Sequence, residues 1–173
     1  MDDAEDAEVI VHEYGHAVHN AQVPGFGTSH EAGSIGEAFG DYLAVTVGLA
    51  AAQQYGWPVQ TPPACVADWD STSYTSTTPR CLRRVDGNKT YADQVGEVHA
   101  DGEIWSRALW DIRTALGATT ADRIIVNAQY GFAADTSFHD AAVKTIATAQ
   151  AMSGTAAANI VRAAFAARAI PGI

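Results

Sequence analysis

Five residues near the start, His12-Glu13-Tyr14-Gly15-His16, constrain this chain more than any others. On an α-helix, residues four apart lie on one face, one turn apart. Two neutral imidazoles at that spacing can ligate one zinc ion. Glu13, next to the first of them, can reach a metal-bound water as general base. The surrounding residues have the matching period. Val9, His12, Glu13, His16 and Val18 recur at three and four, and the acidic residues before them suit the positive end of a helix dipole. The pattern predicts a helix over 4–20, stopped by Pro24-Gly25 and Gly27. The plainer alternative is a helix with two partly buried, hydrogen-bonded histidines.

A zinc site that turns over substrate takes three protein ligands and keeps a fourth position open. Glu37 is the candidate for the third. It begins a second predicted helix, Gly36 to Tyr55, with Phe39, Leu43 and Val47 along its apolar stripe. Asp41, one turn on, could accept the free ring N–H of a ligand histidine, fixing its tautomer and raising its basicity. Each has a bland alternative. Ser34-Ile35-Gly36-Glu37 fits a capping box, in which Glu37 merely satisfies the first amide of its helix, and Asp41 could be a solvated acid. Among the other histidines, His19 sits a turn beyond His16 and pulls away from a shared centre. His30 reads as a surface residue. His99 either donates to a tetrahedral oxyanion or is a structural histidine at a helix entrance.

The remaining chain reads as mainly helical, one domain over residues 1–173 with a long ordered loop. Residues 56 to 96, rich in Pro, Thr and Ser, are expected to be irregular. A third helix is predicted over 102–116. A fourth follows the box-like Thr119-Thr120-Ala121-Asp122, and a fifth opens at Ser137-Phe138-His139-Asp140. Gly154 separates that from a last helix holding Ile160, Val161, Ala164 and Phe165. With 20 Asp plus Glu against 10 Lys plus Arg, there is no clustered positive charge to follow phosphates, and nucleic acid is not an expected partner. No apolar stretch runs unbroken for the roughly 20 residues of a membrane span, so no membrane partner is expected. Met1 leads straight into acidic residues, unlike a signal peptide. Cys65 and Cys81 are either a loop-closing disulfide, as an oxidising compartment allows, or two free thiols.

Taken together, His12-Glu13-Tyr14-Gly15-His16 and Gly36-Glu37-Ala38-Phe39-Gly40-Asp41 resemble the gluzincin pattern of the thermolysin and fungalysin metallopeptidases. Val98-His99-Ala100-Asp101-Gly102-Glu103-Ile104-Trp105 looks closest to the fungalysin side. The end of the chain, from Gln129-Tyr130 to the last helix, resembles the C-terminal helical lobe of both. The resemblance covers nearly the whole chain. It implies a zincin catalytic lobe with Zn2+ held by His12, His16 and Glu37, Glu13 as general base and proton shuttle, and Asp41 behind a ligand histidine. It implies an endopeptidase that attacks internal bonds of peptides or proteins with zinc-activated water. It also implies a secreted parent protein, which favours the Cys65–Cys81 disulfide.

The sequence departs from the pattern in three places. No tyrosine occurs between Asn20 and Gly33, and no histidine loop fits between Leu116 and Asp122, where thermolysin-like enzymes place oxyanion donors; His99 or a residue of the 56–96 loop is the candidate substitute. Thermolysin's calcium-binding acids have no clear match, and no required calcium is expected. The family's β-rich lobe precedes the zinc helix and forms the other wall of the cleft, whereas this chain begins almost at that helix. That N-terminal lobe is therefore expected to be a missing partner. The alternatives to an active endopeptidase are a non-catalytic zinc-binding fragment that needs the missing lobe and a helical interaction domain with coincidental histidines.

Overall fold

The computed structural model describes residues 3–57, 62–76 and 78–173. Helix α1 (Ala7–Gln22) starts where the Asp6 carboxylate accepts the Glu8 and Val9 amides at 2.8 and 3.4 Å. A side-chain acceptor there satisfies donors that the first turn leaves without a partner.

Helix α2 (His30–Tyr55) starts six residues before the predicted Gly36. Ser29 is its cap, accepting the Ala32 amide at 3.1 Å. Gly33 and Gly36 lower intrinsic helix propensity over this stretch, and tertiary packing overrides them. Glu37 therefore lies two turns inside the helix, which removes the capping-box alternative. The Ser34 hydroxyl instead donates to the His30 carbonyl at 3.0 Å. Gly56 ends α2 in the left-handed conformation, φ 68°. By length and composition α2 could cross a membrane. Most of that stretch is buried within the protein, so it serves as a core helix.

The segment after α2 is irregular, as predicted, apart from short 3-10 turns and two tiny strands; residues 58–61 and 77 lie outside the described residues. Strands β1 (Cys65–Val66) and β2 (Arg83–Arg84) pair antiparallel, Cys65 opposite Arg84 and Val66 opposite Arg83. A Cys65–Cys81 disulfide closes the loop between them, with 16 residues of sequence separation. Closing a loop of that length stabilises by about 3 kcal/mol in the chain-entropy picture.

Helix α3 (Val98–Leu116) begins four residues before the predicted Gly102 because Glu97 caps it, accepting the His99 and Ala100 amides at 3.0 and 2.8 Å. Helix α4 (Ala118–Gln129) follows directly. Its cap is Gly117, without a side-chain bond, so the box predicted at Thr119 to Asp122 does not form. Asp122 accepts the Tyr42 hydroxyl instead, at 2.5 Å. Helix α5 (Phe138–Ala166) has the predicted Ser137 cap and bends at Gly154, φ 81°, so the two predicted helices are two arms across a kink.

Helix α2 lies between α1 and α3, and α3 packs on α4 and α5. The main core joins Phe39 and Tyr42 of α2, Ile104, Leu109 and Ile112 of α3, and Ile124, Phe138 and Phe165 beyond. Trp105 stacks on Phe165 at 4.5 Å and on Phe138 at 5.5 Å. A smaller cluster, Val45 with Val66 and Val85, anchors the loop region to α2.

Candidate metal centre

The site forms where α1 crosses α2, and two glycines let it form. A Cβ on Gly15 would lie 2.9 Å from the Gly40 Cα, and one on Gly40 would lie 2.6 Å from His12 Nδ1. Without side chains the backbones approach closely, and the His12 ring lies over Gly40. There it reaches Asp41 with one nitrogen and Glu37 with the other. Gly102 does the same for α3, where a Cβ would meet the Ser34 carbonyl at 3.0 Å.

His12, His16 and Glu37 each offer one atom, and these atoms lie within 4.8 Å of one another. His12 Nε2 is 3.2 Å from Glu37 Oε2, and His16 Nε2 is 3.5 Å from Glu37 Oε1. Ligands bound at zinc's usual distances in a tetrahedron stand about 3.3–3.5 Å apart, close to the two His–Glu37 contacts, so the cluster is compact enough to close on one ion. The Glu37 oxygen is also informative. Oε2 is buried and makes no hydrogen bond among the described residues, although His12 and His99 nitrogens both stand 3.2 Å away. Distances in bonding range without bonding alignment suit lone pairs aimed at a common point. A buried carboxylate oxygen with no partner is costly unless a cation meets it.

Asp41 stands behind His12 as expected. Its Oδ1 is 2.9 Å from His12 Nδ1, which leaves Nε2 to face Glu37 and His16. The side chain is 2% exposed. Burial raises the Asp41 carboxyl, but Arg83 and His12 outweigh it and hold the pKa below the usual carboxylate range. Arg83 donates Nε to Oδ2 and Nη2 to Oδ1, both at 2.7 Å. Burial would lower the His12 pKa, yet Asp41 and Glu37 raise it to about 9 when no cation is present. Glu37 is likewise lowered against burial, by His12, then His16 and His99. The pocket is thus arranged to hold positive charge between its carboxylates.

Glu13, exposed on α1, borders with His12 and His99 a pocket of about 260 Å³. His99, in the first turn of α3, points Nε2 at the centre, 3.2 Å from Glu37 Oε2. Its Nδ1 is 2.6 Å from Glu97. That contact, with the His99 and Ala100 amides, pulls the Glu97 carboxyl down to about 2. His19 does not join the cluster. It is buried between Phe26 and Phe39, ring centroids 4.4 and 4.7 Å away. His30 is at the surface as expected but is not idle: Nε2 is 2.8 Å from buried Asp101.

Two participants were missed from the sequence. Arg83 is 42 residues from Asp41 in an irregular stretch and leaves no local signal. Glu97 was readable, because an acid two residues before a histidine at a helix start can cap the helix and hold the ring.

No individually curated protein matches the chain. The family model for fungalysin metallopeptidase (M36) matches residues 1–170. With that match spanning nearly every residue and a His12, His16 and Glu37 cluster at its centre, the chain belongs to the fungalysin family of zinc metallopeptidases.

Proposed function

We propose that this chain carries the catalytic centre of a zinc endopeptidase that hydrolyses internal peptide bonds, with Glu13 as general base. The observation that carries the reading is the convergence of His12, His16 and Glu37, ligand atoms within 4.8 Å of one another, beside an open pocket bordered by Glu13. His12 and His16 through Nε2, and Glu37 through its carboxylate, would hold the ion. When bound, zinc supplies a Lewis acid that polarises the peptide carbonyl and lowers the pKa of water. Glu13 takes the proton from the attacking water and returns it to the leaving amine. Asp41 keeps His12 in the tautomer with Nε2 free, and Arg83 keeps Asp41 in place. His99, oriented by Glu97, donates Nε2–H to the developing oxyanion; one such donor is worth roughly 100- to 1000-fold in rate.

The substrates are peptides or proteins, and the parent protein works outside the cell. Family members are typically secreted, and the disulfide agrees with an oxidising setting. One observation favours the second reading, a zinc-binding lobe that needs another lobe for activity. Ile10 and Tyr14 are 53% and 64% exposed on α1, flanking the catalytic residues, and such apolar surface suits a second cleft wall.

Glu13→Gln separates the readings. In an active enzyme it abolishes cleavage of an unstructured protein while one zinc per chain remains, measured by metal analysis. No cleavage by the native zinc-loaded chain supports the two-lobe reading. Cleavage that survives Glu13→Gln would overturn the mechanism.

A further inference from the structure

The pocket beside Glu13 has an acidic end that the reaction does not use. Its walls include Val9, Val66 and Leu82, and it reaches Asp3 and Asp70. Asp70 is 4% exposed, and its Oδ1 is buried with no hydrogen-bond partner among the described residues. Its amide donates to Asp6 at 3.0 Å, so Asp70 is held at the start of α1. Asp6 precedes His12 by six residues, about 9 Å along a helix. The pocket therefore runs from the metal centre past an apolar wall to a carboxylate one long side chain away. Burial, a side-chain hydrogen bond with Asp3 and the charges of Asp3 and Asp6 push the Asp70 carboxyl above its ordinary range. Among the described residues, Arg83 and His99 border the same pocket and are already matched. Arg83 is bound to Asp41 by two hydrogen bonds, and His99 is held by Glu97.

We propose that this pocket selects a lysine or arginine side chain of the substrate, its methylenes against Val9, Val66 and Leu82 and its cation at Asp70, with Asp3 at the rim. Glu13 protonates the leaving amine and borders the pocket, so the selected residue is the one that follows the scissile bond. The inference rests on the peptidase reading for the position of that residue, but the cation site itself does not.

The test uses the zinc-loaded chain and fluorogenic peptides differing only in the residue after the scissile bond: Lys, Arg, Leu or Glu. Lys and Arg peptides should exceed the Leu peptide in kcat/KM by about tenfold or more. In Asp70→Asn the Lys-to-Leu ratio should fall by about the same factor. Asp3→Asn, at an exposed position that does not endanger the fold, should lower that ratio by less. A Leu peptide preferred by the native chain would overturn the proposal, and so would a ratio unchanged in both variants. If no peptide is cleaved, the two-lobe reading is supported, and calorimetry with the dipeptides Lys-Ala and Leu-Ala still decides on the cation site. Tighter Lys-Ala binding that is lost in Asp70→Asn supports the cation site; equal binding overturns it.

Discussion

Two buried residues near the centre show how environment sets a side chain's part. Asp41 is fully engaged, by His12 on one side and Arg83 on the other. Replacing it with Asn keeps the shape but removes the charge that orients His12. Asp41→Asn should weaken zinc affinity by roughly 10- to 100-fold, read by titration against a competing chelator; unchanged affinity would remove Asp41 from the site. His19 is the opposite case. It is 2% exposed, and neither ring nitrogen has a partner among the described residues. Burial, with His16 adding to it, lowers its pKa to about 3. The unfolded chain binds a proton near pH 6.5 and the native ring does not. Stability contributed by neutral His19 is thus complete above pH 6.5 and is lost as pH falls from there toward 3. The loss is about 2 kcal/mol by pH 5. His19→Leu should abolish it. In urea unfolding of both metal-free proteins, the variant's advantage should grow by about that amount between pH 7 and 5. An advantage that stays constant would show that His19 is not buried neutral.

At the level of elements, the centre depends on how closely α1 and α2 approach. Gly40 in isolation is a weak point in a helix, costing about 1 kcal/mol against alanine. Here it makes the room in which His12 turns toward Asp41 and Glu37, because a Cβ would stand 2.6 to 2.9 Å from the ring. Gly40→Ala should therefore separate two effects that usually travel together. Helix content by circular dichroism should hold or rise, while zinc affinity falls by about tenfold or more as the ring is displaced. If affinity is retained, the crossing is loose enough to absorb a methyl group. The Cys65–Cys81 loop acts on the opposite side of the same site. It ties Cys81, two residues before Arg83, to strand β1, which packs on α2 and pairs with the strand that carries Arg83, the partner of Asp41.

For the whole molecule, the ion and the fold are thermodynamically linked. The carboxylates of Glu37 and Asp41 and the two histidines are brought together only in the native chain, so an ion held by the cluster would stabilise the native state. At zinc concentrations a thousandfold above the dissociation constant the gain is about 4 kcal/mol. Chelator treatment should lower Tm by several degrees, and added zinc should restore it. A Tm indifferent to metal would mean that the cluster holds no ion.

What the sequence determined by itself is the part carried by short-range pattern. The four-residue spacing of His12 and His16, the following Glu37 and Asp41, and the helical period around them were legible because a helix turns local spacing into a shared face. The mainly helical class followed from the same periodicity, whereas two cysteines in an irregular stretch left a disulfide and two free thiols both open until the fold brought Cys65 to Cys81. What only the tertiary structure decided is everything that depends on distant segments meeting. The start of α2 at His30 rests on packing that overrides two glycines. Arg83 reaches Asp41 across 42 residues, and Asp70 reaches the first turn of α1 across 64. His19, three residues beyond a candidate ligand, is buried against Phe26 and Phe39 instead of joining the centre. Local spacing says which faces of an element can carry chemistry. Which faces meet is decided by burial, close approach and long-range charge pairing, and these exist only once the chain has folded.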